Sequence, residues 1–243
     1  MKPIIKFTYL ISSLFAVVAL LIHLLTPRQD IDFLKQNRVW KHRGGIPQNT
    51  LEGINSSIRE GYRGFEIDVI KEGTSLVLAH DSSEAKSSKE DLETILKRIK
   101  TDKLNLWIDY KKGSILHNYS FAKDVSYLLK KHELNEKVFV ETKDFATFIF
   151  LRLNSVPTSF WFQPRKNFNS LFSFIYKILA YGLGTSHISY DYNNRDAMKE
   201  ELTSFPHLVF TVKNKKELTL LCKDDIAVIL TDIPFAEIPK DCF

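Results

Sequence analysis

The chain has 243 residues, of which 44% are hydrophobic and 26% charged, and its 34 lysines and arginines outnumber 29 aspartates and glutamates for a formal charge of +5. That is too long for a disulfide-stapled miniprotein, too regular in composition for disorder, collagen or a repeat array, and short enough to fold around one core. The basic residues are scattered and trace no stripe for nucleic acid, and the two cysteines, Cys222 and Cys242, exclude a cysteine-rich zinc site while leaving open a single bridge between them.

Behind Lys2 and Lys6, the run Phe7 to Leu25 is 19 residues without a charge. As a helix it spans roughly 28 Å, close to the hydrocarbon thickness of a bilayer. It has no polar face to turn to water, which argues against a buried core helix. A cleaved secretory signal usually has a shorter apolar region, and no small-x-small pair precedes Pro27 and Arg28. Residues 1–28 are therefore read as a single-pass membrane anchor and residues 29–243 as one domain. Lys2 and Lys6 favour a cytoplasmic tail with the domain outside the cytoplasm, although Arg28, Lys35 and Arg38 pull the other way. Secretion after cleavage is the alternative.

From residue 29 onward, short apolar or alternating runs take turns with helical stretches, the pattern of βα units. Eight strands are predicted: Val39 to His42, Gly64 to Ile70, Leu104 to Lys111, Lys137 to Glu141, Thr158 to Phe162, Ser186 to Tyr190, His207 to Val212 and Ile226 to Thr231. Helices are predicted over Asn49 to Glu60, Lys89 to Ile99, Ser114 to His132, Lys143 to Leu153 and Asn193 to Thr203. The repeat of about 27 residues fits an α/β fold, a (β/α)8 TIM-type barrel near its minimum size. Ser75 to Ala79 follows the second strand too closely for a crossover helix and is read as a hairpin on the catalytic face. A doubly wound open sheet is disfavoured because no glycine-rich phosphate loop follows the first strand.

Alternation puts Glu66 and Asp68 on one face of the second strand, opposite Phe65, Ile67 and Val69. It does the same for Trp107, Asp109 and Lys111 against Leu106, Ile108 and Tyr110. These side chains converge at the strands' C-terminal ends, the active face of such barrels. Three carboxylates packed together take up protons unless a cation neutralises them, and all-oxygen ligation favours Mg²⁺ or Ca²⁺. The alternative is a salt bridge from Glu66 and Asp68 to Arg43 and Lys111. Histidines tip the balance: His42 ends the first strand and His80 the hairpin, so both reach the same mouth. Two imidazoles can divide general acid and base work, with Asp81 placed to orient one of them. His117, His132, His187 and His207 stand alone and are read as structural. With a divalent ion, Arg43 and Lys111 leave the three acids one charge positive, which suits a phosphodiester anion.

His42-Arg43-Gly44, Pro47 to Gly53, Phe65 to Val69, Val77 to Asp81, Ile108 to Lys111, Phe210 to Asn214 and Ile229 to Pro234 together resemble the glycerophosphodiester phosphodiesterase family, relatives of the phosphatidylinositol phospholipases. The likeness spans roughly residues 38–238 and implies a (β/α)8 barrel. It implies a divalent metal on Glu66, Asp68 and Asp109, acid and base catalysis by His42 and His80, and phosphate contacts from Arg43 and Lys111. The implied reaction is hydrolysis of a glycerophosphodiester, a phospholipid-derived substrate, to an alcohol and glycerol phosphate. Gln48 and Asp109 stand where the family usually has glutamate, and the 28 residues from Asp81 to Ile108 replace a longer insertion that helps form the glycerol pocket. A barrel that binds a phosphorylated head group or a partner without turnover is the alternative. An anchor at the base of the barrel would leave the mouth facing away from its own membrane.

Overall fold

Period-two alternation along the strands divides their side chains between two cores. In β2 (Gly64–Glu72), β4 (Asn105–Tyr110) and β5 (Val138–Thr142), one face contributes Phe65, Ile67, Val69, Leu106, Ile108, Val138 and Val140 to a large outer core with the helices. The other face turns Trp107 and Phe139 into a smaller inner core with Trp40, Leu208, Val228 and Leu230. Phe33 and Leu34 pack into that inner core, and Asn105, the first residue of β4, donates from Nδ2 to the Phe33 carbonyl at 3.5 Å. Phe33 and Leu34 thus cover part of the inner core at the strand starts.

The computed structural model describes residues 17, 33–34, 37–87, 90–111, 113–162, 184–201 and 204–243. Around the barrel run β1 (Val39–Lys41), β2, β4, β5, β6 (Thr158–Trp161), β7 (Ile188–Asp191), β8 (His207–Val212) and β9 (Ile226–Thr231), and β9 pairs back onto β1. Every one of these pairings is parallel. The ninth strand, β3 (Ser75–Leu78), lies antiparallel on β2 from Val69 opposite Leu78 to Glu72 opposite Ser75, as the expected hairpin. The eight-stranded closed barrel is as expected. The anchor segment Phe7 to Leu25 lies outside the described residues except for Val17; among the described residues, no helix is long and apolar enough to cross a membrane.

The boundaries moved for local reasons. The first strand stops at Lys41 rather than His42, because His42–Gly44 form a 3-10 turn. Its following glycines take φ of 67° at Gly44 and 106° at Gly45, where a Cβ on Gly45 would sit 2.2 Å from the Ser57 hydroxyl. His42 is therefore swung off the strand and over the mouth. The helices start later than predicted because a polar side chain caps each one. Thr50 caps α1 (Leu51–Glu60), Asp91 caps α3 (Leu92–Asp102) and Asp144 caps α5 (Phe145–Leu153), each accepting from a backbone N–H three residues on. Ser114 caps α4 (Ile115–His132) at the predicted place. A short α2 (Ser82–Ser87) follows His80, and a 3-10 turn at Tyr192–Asn194 precedes α6 (Arg195–Glu201) within the span predicted as one helix. Helix α7 (Lys215–Cys222) ends in a disulfide from Cys222 to Cys242, which ties the C-terminal turn down.

Candidate active site

A cavity of about 160 Å³ at the C-terminal ends of the strands is lined by all of the residues singled out from the sequence: His42, His80, Arg43, Lys111, Glu66, Asp68 and Asp109. A larger hollow of about 740 Å³, lined by Arg38, His207 and Ile226 among others, holds none of them. Strand register explains the convergence. Asp68 lies opposite Asp109, and Asp109 opposite Glu141, so three acids on three successive strands share one height, with Glu66 one layer deeper opposite Trp107.

Asp68 is the most heavily tied of the acids. Its Oδ2 pairs with Arg43 Nε at 3.0 Å and accepts from Asn49 Nδ2 at 3.0 Å, while Oδ1 pairs with Lys111 Nζ at 2.7 Å. Asn49 also accepts the Asp68 backbone N–H at 2.9 Å, clamping strand and side chain together. Burial pushes Asp68 up, but Lys111, Asn49 and Arg43 outweigh it and hold its carboxyl below the usual range. Glu66 accepts only the Arg43 backbone N–H in that comparison, at 2.8 Å, and burial with the charges of Asp68 and Asp109 drives it well above its ordinary value. Asp109 is also pushed up, chiefly by burial, although it bonds Lys111. Lys111 is correspondingly raised, because Asp109 and Asp68 outweigh its burial. The expected salt bridge thus exists for Asp68, which takes Arg43 and shares Lys111 with Asp109, while Glu66 pairs with neither cationic side chain.

Those acids can hold a metal. Glu66, Asp68 and Asp109 each offer a carboxylate oxygen within 4.8 Å of the others, so the shorter Asp109 still reaches the cluster. An all-oxygen donor set, two of whose three carboxylates, Glu66 and Asp109, are otherwise pushed toward protonation, fits a hard divalent cation.

His42 has its orienting carboxylate, and it is not Asp81. Asp232, in the loop after β9, places Oδ1 at 2.9 Å from His42 Nδ1, which leaves Nε2 toward the cavity at 3.9 Å from Glu66 Oε2. Lys41 Nζ fixes that loop by donating to the Asp232 carbonyl at 3.2 Å. Burial raises Asp232, yet its bond to His42 holds the carboxyl down. Asp81 instead accepts from the backbone N–H groups of Ser83 at 2.8 Å and Glu84 at 3.0 Å, starting the short helix after His80. Gln48 accepts from Arg43 Nη1 at 3.0 Å, so it positions the guanidinium without adding charge.

Three residues of the site were not assigned from the sequence: Asn49, Asp232 and Glu141. The first two lie within stretches that carried the family resemblance, so a signal existed. Glu141 sits in the nearly uniform strand Val138–Thr142, where alternation from Phe139 places it inward. It is 2% exposed, and burial together with Asp109 pushes it well above its usual value. Among the histidines read as structural, His132 meets Glu93 at 3.0 Å and His207 meets the Tyr190 hydroxyl at 2.7 Å, while His187 is enclosed against Phe139.

No protein-family model and no curated protein matches the chain. Solved structures do. A glycerophosphodiester phosphodiesterase from Parabacteroides distasonis is 19% identical with a TM-score of 0.68, covering 84% of this chain and 95% of its own. An Oleispira antarctica phosphodiesterase, in complex with the product sn-glycerol-3-phosphate, is 14% identical with a TM-score of 0.67, covering 82% and 94%. A calcium-dependent phosphoinositol-specific phospholipase C from Pseudomonas sp. is 13% identical with a TM-score of 0.56, covering 86% and 93%. The chain therefore has the barrel fold that the glycerophosphodiester phosphodiesterases and this phospholipase C share.

Proposed function

We propose that the chain is a divalent-metal-dependent phosphoric diester hydrolase that splits a glycerophosphodiester into an alcohol and glycerol phosphate. The observation that carries this reading is the meeting of His42, fixed by Asp232, with His80 and the Glu66, Asp68 and Asp109 cluster in one cavity. Glu66, Asp68 and Asp109 would hold Mg²⁺ or Ca²⁺. When bound, such an ion withdraws charge from a phosphate oxygen as a Lewis acid.

Arg43 and Lys111 supply the remaining positive charge for the phosphate and its developing trigonal-bipyramidal charge. The Asp232 carboxylate at Nδ1 fixes the His42 tautomer with its proton on Nδ1, so Nε2 is free to accept one. His42 then takes the proton of the attacking water, or of a neighbouring substrate hydroxyl, as its oxygen bonds phosphorus. His80 donates a proton to the departing alcohol oxygen as the phosphorus–oxygen bond breaks. Each proton transfer is worth about 10²- to 10⁴-fold in rate.

Glycerol phosphate release from glycerophosphocholine or glycerophosphoethanolamine tests this directly. Chelator abolishes turnover and His42→Ala lowers kcat by about 10²-fold or more. Turnover indifferent to both would refute the assignment, and tight glycerol phosphate binding without turnover would favour a barrel that only binds.

The reading extends to location. Phe7 to Leu25 serves as a membrane anchor with the barrel outside the cytoplasm, and the Cys222–Cys242 bridge supports an oxidising compartment. Alkaline carbonate leaves the full chain in the membrane pellet; its release into the supernatant would point to a cleaved signal.

A further inference from the structure

Helix α4 is the longest among the described residues, and its outer face is not the polar surface that a barrel helix ordinarily turns to water. Phe121, Ala122, Val125 and Leu129 bury its inner face. On the other side, Ile115, Leu116, Tyr119 and Tyr127 are 68%, 79%, 47% and 64% exposed. At about 100° per residue they fall, together with the exposed Lys123 and Lys130, in one sector of roughly 120° opposite the buried stripe. Single exposed apolar side chains are ordinary, but four along roughly 18 Å of one helix make a patch. It continues onto α5, where Phe150 packs edge-on to Tyr119 at 5.4 Å and Leu153 is exposed.

Lysines frame the patch. Lys123 Nζ lies 5.8 Å from the Tyr119 ring centroid, and Lys131, already paired with Glu93, lies 5.8 Å from that of Tyr127. Asp124 is the acid of this helix, and its charge is taken up by Lys71. Leucine and tyrosine side chains interleaved with lysines suit the boundary between lipid headgroups and acyl chains. Alkyl and ring surface enters, while phenol hydroxyls and ammonium groups stay at the level of the phosphates.

We propose that the outer face of α4 rests on an anionic bilayer surface, with Leu116, Tyr119 and Tyr127 entering the headgroup region and Lys123 and Lys130 pairing with lipid phosphates. A second copy of the chain fits this face less well. Lys123 stands near the middle of the stripe, so a two-fold pairing of α4 on α4 sets like charges against each other. The surface is independent of the phosphodiesterase reading, but it bears on orientation. Only a short loop separates Lys111 in the cavity from the start of α4, and the helices of such a barrel run along its sides. A domain lying on α4 therefore opens its mouth along the bilayer rather than away from it.

Single-cysteine labelling of the full chain tests the surface, because its own two cysteines are joined in the disulfide. A polarity-sensitive maleimide dye is placed at Leu116→Cys or Tyr127→Cys, both exposed positions, and for comparison at Lys216→Cys on α7, which follows β8 on the opposite side of the barrel. In vesicles of equimolar phosphatidylcholine and phosphatidylglycerol, the α4 dyes shift to the blue and lose about half or more of their emission to brominated acyl chains. The α7 dye does neither, which separates docking of α4 from simple tethering of the domain near lipid. Phosphatidylcholine alone, or Lys123→Gln with Lys130→Gln in the mixed vesicles, cuts the α4 response about fivefold or more. An α4 response no larger than that of α7 would overturn the proposal, and so would one undiminished by removing the anionic lipid or the two lysines. A blue shift that grows with protein concentration in detergent, before any vesicle is added, would make a second copy the occupant and overturn it as well.

Discussion

Glu66 and Asp68 are two residues apart on one face of one strand, and the side chains around them push their carboxyl groups in opposite directions. Lys111, Asn49 and Arg43 hold Asp68 ionised, whereas Glu66 lies deeper beside two like charges. Asn49 is the inexpensive part of this device, a neutral side chain that bonds both the carboxylate and the backbone of Asp68. Asn49→Ala leaves the buried Asp68 N–H without its partner and Asp68 Oδ2 with Arg43 alone, and lowers stability by about 2 kcal/mol, read as a fall in urea midpoint at unchanged m-value. Asp109 makes the second residue-scale prediction. Its oxygen already reaches the cluster while the carboxylate bonds Lys111. Restoring the longer side chain with Asp109→Glu therefore crowds a site fitted to aspartate, and calcium titration gives a weaker affinity for the variant.

Helices α3 and α4 are joined by a charged seam at Glu93, which accepts from Lys131 at 2.8 Å and meets His132 at 3.0 Å. Lys131 first, and then His132, lower the Glu93 carboxyl from 4.5 to about 2. Because the folded value is the lower one, the seam stabilises fully above pH 4.5 and fades as pH falls toward 2. The urea midpoint of Glu93→Gln should therefore approach that of the unaltered protein as acid is added through this window, and a constant gap would refute the linkage. Caps act at the same scale. Asp144 accepts from the backbone N–H of Thr147 at 2.9 Å and from Asn118 Nδ2 at 3.1 Å, linking the start of α5 to α4. Asp144→Ala costs about 1–2 kcal/mol, measurable by thermal unfolding. Such caps set where the backbone begins to coil: Thr50, Asp91 and Asp144 each stand just before their helix.

At the scale of the whole molecule, closure is what turns local patterns into a site. The contact of β9 with β1 brings Asp232 to His42 across 190 positions of sequence, and the same turn of the barrel brings Phe210 onto Trp161. The end of the chain is fastened by the Cys222–Cys242 bridge, with a sequence separation of 20. Loop-closure entropy for that span is about 3 kcal/mol, so dithiothreitol lowers the urea midpoint of the unaltered protein and does nothing to a Cys222→Ser, Cys242→Ser double variant. The strand pattern, the hairpin, the inward faces of Glu66, Asp68 and Asp109 and the mouthward histidines were readable from sequence, because period, spacing and turn length are local properties. Asp232 as the partner of His42, the clamp of Asn49 on Asp68, and the burial of Glu141 in the cavity wall were decided by the tertiary structure alone. Each depends on which strands become neighbours and in what register, and no run of consecutive residues carries that information.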